Sequence, residues 1–77
     1  MAGKPGSKMK ILAVLDILWN YSDENNILSA ADICDKLEEF DILAERKSIY
    51  ADINCLVKFG FDIVSCKSPK KGYFLGS

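Results

Sequence analysis

The stretch RKSIYADINCLVKFGFDI (residues 46–63) decides the fold, because its apolar period changes at one glycine. Before Gly60, apolar residues recur at i, i+4 and i+7 from Ile49, which is the spacing of one face of a helix. After Gly60, apolar and polar residues alternate, as they do in a strand. Glycine commonly ends a helix because it tolerates a left-handed backbone. The stretch therefore predicts a helix over about residues 44–59 and a strand directly after it.

The predicted helix keeps acids away from one of its faces. On a helical wheel at about 100° per residue, Ile49, Ile53 and Leu56 form a core seam with Val57 on its flank. Asp52 and Glu45 lie toward the edge of that seam. The opposite stripe with its shoulders carries no acid and consists of Lys47, Ala51, Asn54, Lys58, Tyr50, Ser48 and Cys55. A recognition helix needs such a face, because basic, hydroxyl and amide groups contact phosphates and base edges in the major groove.

Two helices are predicted upstream. The first spans about residues 8–21, and a second spans about residues 30–40. Ser29 is the predicted N-cap of the second helix, in a capping box with Asp32. Asp41 is a plausible turn residue, because aspartate tolerates a left-handed backbone. Helical spacing predicts that the core stripe of the first helix consists of Ile11, Leu12, Leu15, Leu18 and Trp19.

Downstream, the sequence predicts a two-stranded hairpin with a basic turn. The alternating strand breaks at residues 68–72, and an aromatic run at residues 73–75 forms the second strand. A short extended piece is predicted at residues 27–28. The order is that of an α+β winged helix-turn-helix, with three helices and a small antiparallel β-wing. We assign residues 8–77 to this domain and residues 1–7 to a flexible N-terminal arm.

Composition argues against several other classes of function. A chain of 77 residues forms one small domain, and no apolar run approaches the ~18 residues of a membrane span. The chain has no histidine and three widely spaced cysteines, so we expect no metal site and no disulfide framework. It has no phosphate-cradling glycine-rich loop and no nucleophile beside a base, so we expect neither a cofactor nor enzymatic activity. Reduced cysteines favour a cytoplasmic location.

The net charge of −1 conceals a segregation of charge along the chain. Residues 1–15 carry +3, residues 16–45 carry −8, and residues 46–77 carry +4. Folding could bring the two basic ends onto one face, which would attract polyanions although the whole protein does not. The alternative is that acids and bases neutralise one another across the surface. The basic residues of the first segment are Lys4, Lys8 and Lys10.

The segment ERKSIYADINCLVKFGFDI (residues 45–63), followed by KKGYFL (residues 70–75), resembles the N-terminal winged helix-turn-helix of bacterial WYL-domain transcriptional regulators. These regulators are related in style to DeoR-type repressors. In that family an Arg, a basic residue, a hydroxyl residue, Ile, Tyr, a variable residue, Asp and Ile open the recognition helix, as at residues 46–53 here. A G-[FYI]-D-I strand and a G-Y-aromatic-L strand follow in the family, matching residues 60–63 and 72–75. The resemblance covers nearly the whole chain and implies a transcriptional regulator.

Two positions depart from the family pattern. Ala51 stands where many relatives have arginine, so one candidate DNA contact is missing. Leu43 stands where relatives often have a serine cap, and since a poor cap costs about 1 kcal/mol, we expect the start of the third helix to fray without DNA. Relatives usually continue into a WYL sensor domain and a dimerising C-terminal extension. The resemblance therefore implies a homodimer only for a full-length protein, and weak or no self-association of this segment.

The sequence predicts double-stranded DNA as the partner and no membrane, with the recognition helix (about residues 44–59) in the major groove and the basic wing (residues 67–72) on the phosphates. The predicted contacts are Arg46, Lys47, Ser48, Tyr50, Asn54, Lys58, Lys67, Lys70 and Lys71. Alternatives stay open, because Arg46 could pair with an acid, Tyr50 could pack against the wing, and Lys58 could be merely solvated. A second function would be a winged-helix protein–protein interaction module that uses the acidic face of the second helix, which carries Asp32, Asp35, Glu38 and Glu39.

Overall fold

The computed structural model of the chain describes residues 7–67 and 71–76, which form three helices followed by a two-stranded sheet. The elements are α1 (Ser7–Tyr21), α2 (Ala30–Glu38), α3 (Arg46–Phe59), β1 (Ile63–Cys66) and β2 (Gly72–Leu75). The predicted N-terminal arm falls on residues outside this description, apart from Ser7, which begins α1.

The sheet is an antiparallel hairpin whose second strand also pairs with the connection between α1 and α2. Its register aligns Ile63 with Leu75 and Cys66 with Gly72. Leu28 forms an isolated bridge with Tyr73, and its N–H donates to the Tyr73 carbonyl at 2.9 Å. The predicted extended piece therefore exists as a single bridge along β2. Three helices with this hairpin form the α+β arrangement of a winged helix, as predicted.

Each helix contributes buried side chains to the core. The buried face of α1, however, differs from the one that the sequence predicts. Val14, Ile17 and Leu18 are fully buried, whereas Leu12 and Trp19 are each 62% exposed. The prediction that Leu12 and Trp19 belong to the core is therefore wrong. Because α1 is apolar around most of its circumference, helical spacing alone allows more than one buried face.

The second helix begins with the predicted capping box. The Ser29 hydroxyl accepts from the Asp32 N–H at 3.1 Å, and the Asp32 carboxylate accepts from the Ser29 N–H at 3.0 Å. The helix ends at Glu38, earlier than the predicted end near residue 40, and the apolar side chain of Phe40 is 47% exposed. The early end has a physical cause, because the chain turns through Asp41 at φ 61° while the Ile42 N–H donates back to the Leu37 carbonyl at 3.0 Å. This is a Schellman-type ending, and Asp41 is the turn residue that the sequence predicts.

The third helix is bounded close to the predicted limits. Gly60 ends it at φ 129°, and the Phe61 N–H donates to the Leu56 carbonyl at 3.1 Å, which is the same type of ending. The helix begins at Arg46, two residues later than predicted. Its N-cap residue, Glu45, makes no side-chain cap hydrogen bond.

Candidate nucleic-acid interface

The structure confirms the two faces predicted for α3. Ile49, Ile53 and Leu56 are buried. The residues of the opposite stripe are all exposed, namely Lys47, Ala51, Asn54 and Lys58. This stripe therefore presents two ammonium groups and one carboxamide to solvent, with no acid among them. Such groups suit phosphate oxygens and the edges of guanine and adenine.

Asp52, the acid within α3, is held against α1 and away from the stripe. Its carboxylate contacts the ammonium of Lys10, and the two side chains are 14% and 15% exposed. Lys10, one of the basic residues of the first segment, therefore pairs with an acid inside the fold. Lys4 lies outside the described residues.

Ser48 is bound to its own helix. Its hydroxyl donates to the Glu45 carbonyl at 2.8 Å, and the side chain is half-buried. This bond uses the hydroxyl proton at a helix start that has no side-chain cap. The Ser48 oxygen remains able to accept a hydrogen bond, so any contact with DNA would use it as an acceptor.

A cleft of about 180 Å³ lies between the starts of α2 and α3 and the second strand of the wing. It brings together three predicted contact residues, Arg46, Tyr50 and Lys71, from two elements distant in sequence. The residues that sequence reasoning missed are those at the start of α2 and the wing aromatic, namely Ser29, Ala30, Ala31 and Tyr73 with Gly72. The capping box marks the start of α2 in the sequence, but only the folded chain places it beside the wing.

The two tyrosines of the cleft connect α3 to the wing. The ring centroids of Tyr50 and Tyr73 lie 6.4 Å apart at a tilt of 58°, and Tyr50 remains 39% exposed. Tyr50 thus packs against the wing and also faces solvent. Burial, followed by a smaller contribution from Tyr50, raises the pKa of Tyr73 above that of an ordinary tyrosine.

Arg46 reaches the cleft without an acidic partner in the described part of the chain. The ion pair found among the described residues joins Lys10 to Asp52 and does not involve Arg46. The Arg46 side chain is exposed. The lining residues include Arg46 and Lys71 and no carboxylate. The cleft therefore has a positive character that an anion would satisfy.

The wing carries a cation next to each of its two strands. Lys67 follows β1 and Lys71 precedes β2, and both side chains are exposed. Lys70 lies outside the described residues. Gly72 fixes the position of β2, because a Cβ there would stand 2.5 Å from the Leu28 carbonyl oxygen. The close approach of two backbones thus sets where Lys71 is held.

The fold is that of a winged-helix domain, and its third helix carries a basic, exposed face. Comparison with known proteins adds no family to that class: no family model, no curated protein and no solved structure matches the chain.

No helix within residues 7–67 and 71–76 is long and apolar enough to cross a membrane. No group of three or more His, Cys, Asp or Glu side chains within them could hold a metal ion.

Proposed function

We propose that this chain is the double-stranded DNA-binding domain of a bacterial transcriptional regulator of the WYL-domain type, acting in the cytoplasm. The observation that carries the proposal is the acid-free, solvent-facing stripe of α3 beside a cleft lined by Arg46 and Lys71. The pairing of Asp52 with Lys10 supports it, because the one acid within α3 is neutralised on the opposite side of that helix.

In this proposal α3 enters the major groove by its N-terminal half. Lys47 and Asn54 face base edges, where lysine prefers guanine and asparagine can bind adenine through two hydrogen bonds. Lys58, at the far end of the same stripe, reaches a phosphate. Lys67 and Lys71 place the wing on the neighbouring backbone. The domain contributes one reading helix, so we expect weak, micromolar-range binding from a monomer.

A fluorescence-anisotropy titration with a random duplex at two salt concentrations tests the proposal. We expect binding that weakens with salt and is largely lost in the double variant Arg46→Ala, Lys47→Ala, because counterion release from phosphates drives non-specific association. Lys36→Ala serves as a matched control, because Lys36 lies over the Tyr21 ring at 4.2 Å, away from the proposed face. Absence of binding at ~50 mM salt, where counterion release favours it, would contradict the proposal.

A second candidate is a protein-binding module that uses α2. Asp35, Glu38 and Glu39 are all exposed, so an acidic face is available to a basic partner. Charge reversal at these three positions tests this candidate. If the reversed variant keeps its DNA affinity and every partner interaction, the protein-binding role is excluded.

A further inference from the structure

We infer that the cleft between α2, α3 and β2 seats a single backbone phosphate, held jointly by Arg46 and Lys71. The inference rests on the proposed function, because it names the group that this part of the interface would bind. The ligand is a phosphodiester group of DNA. It belongs to the strand that lies between the major groove, where α3 would bind, and the backbone that the wing would contact.

Topology places a strand of DNA over this cleft. If α3 lies in the major groove and the wing lies on the adjacent backbone, one phosphodiester chain must cross the gap between them. The cleft is that gap, because Arg46 and Tyr50 line it from α3 while Lys71 and Tyr73 line it from the wing.

The chemistry of the cleft fits an anion that is shared by two cations. Arg46 and Lys71 come from different elements and line the same space of about 180 Å³, without a carboxylate among the described lining residues. The guanidinium can bind two phosphate oxygens at once, whereas the lysine acts as a point charge. Tyr73 also lines the cleft, and its phenol can donate to a phosphate oxygen.

If Arg46 and Lys71 share one phosphate, the salt dependence of DNA binding should reveal it. The slope of log K against log salt falls by about 0.9 for each phosphate that is no longer neutralised. If Arg46 and Lys71 hold one phosphate, each single alanine variant keeps a slope close to wild type, since the other cation remains. The double variant then loses about 0.9.

The matched control is Lys58, which in the proposed function reaches a phosphate at the far end of the α3 stripe. Lys58 lies twelve positions after Arg46, about 18 Å along the helix axis, so it cannot share the phosphate of the cleft. Lys58→Ala alone should therefore lower the slope by about 0.9.

The experiment is an anisotropy titration of a random 20-base-pair duplex across a series of salt concentrations. It compares the wild type with the single variants Arg46→Ala and Lys71→Ala and with the double variant that carries both changes. A second double variant combines Arg46→Lys with Lys71→Ala. We expect each single variant to have a slope close to that of the wild type, and the double alanine variant to have a slope lower by about 0.9. The variant that combines Arg46→Lys with Lys71→Ala should have a normal slope, because one cation remains. Single variants that each lose about 0.9, or a double variant with an unchanged slope, would overturn the shared seat while leaving DNA binding intact. A wild type without salt-dependent binding would instead refute the proposed function itself.

Discussion

The carboxylate of Asp52 on α3 contacts the ammonium of Lys10 on α1, and both side chains are largely removed from water. The pair lies on the same side of α3 as its buried residues, Ile49, Ile53 and Leu56. The stripe that contains Lys47, Asn54 and Lys58 lies on the other side and is exposed. The one acid within α3 is thus paired on the core side of the helix, away from the exposed basic stripe.

Removal of one partner of this pair should destabilise the domain. We expect Asp52→Ala to lower the free energy of unfolding by about 1–3 kcal/mol, because Lys10 would stay largely buried without its partner. Urea denaturation of Asp52→Ala, Lys10→Ala and the double variant measures the coupling between the two side chains. A double variant equal to the sum of the singles would mean that the contact contributes nothing of its own.

The buried face of α1 can be checked with its own tryptophan. Ile17 is fully buried, so Ile17→Ala should cost about 2–5 kcal/mol of unfolding free energy. Trp19 is 62% exposed, so Trp19→Ala should cost less than about 1 kcal/mol. Trp19 is the sole tryptophan, and its emission in the wild type should be that of a solvated indole. A blue-shifted emission, or a larger loss for Trp19→Ala, would favour the core stripe predicted from the sequence.

This contrast indicates which parts of the fold are readable from the sequence. In α3 the spacing of Ile49, Ile53 and Leu56 identifies the buried face correctly. Val57, predicted on the flank of that seam, is 46% exposed, so the prediction was wrong at this position. In α1 apolar residues surround the helix, so the choice between Leu12 and Ile17 depends on tertiary packing that periodicity does not contain. Local hydrogen-bonding chemistry made the capping box and the two helix ends predictable.

Part of the candidate site is also predictable from the sequence, and part of it is not. The residues of α3 are predictable because they share one helix face, and Lys67 and Lys71 because they flank one turn. The cleft was not predictable, since it depends on Gly72 passing close to Leu28 and bringing the wing beside the start of α2. That contact joins parts of the chain more than forty residues apart.

Substitution by alanine should destabilise the domain at both Gly72 and Gly60, but for different physical reasons. Gly72→Ala would bring a Cβ to 2.5 Å from the Leu28 carbonyl oxygen, so we expect a loss of about 1–3 kcal/mol and weaker protection of the hairpin amides. Gly60→Ala meets open space but must adopt φ 129°, so we expect a loss of about 1 kcal/mol without a change in the hairpin. Hydrogen exchange separates the two effects. Equal amide protection in the hairpins of both variants would show that close packing at Gly72 has no local consequence.

The starts of α2 and α3 should respond in opposite directions to cap substitutions. Ser29→Ala removes the hydroxyl that accepts from the Asp32 N–H, so we expect a loss of about 1 kcal/mol. Glu45 makes no side-chain cap bond, so Glu45→Ser should gain about 0.5–1 kcal/mol and reduce fraying of α3. Thermal unfolding of both variants provides the measurement. A loss of stability in Glu45→Ser would mean that the glutamate has a role beyond the helix start.

The cysteines should differ in reactivity as their surroundings differ. Burial, and then the nearby Asp35, raise the pKa of Cys34, while Arg46 and Lys10 partly oppose this shift. Less thiolate therefore exists at Cys34 near neutral pH than at an ordinary thiol, and Cys34 should react with iodoacetamide more slowly than the exposed Cys55. Arg46→Ala should slow Cys34 further, because it removes one opposing cation, and should leave the rate at Cys55 unchanged. Peptide mass spectrometry of time-resolved labelling gives both rates in one sample. Faster labelling of Cys34 in Arg46→Ala would place the guanidinium as a steric cover over the thiol instead of a charge beside it.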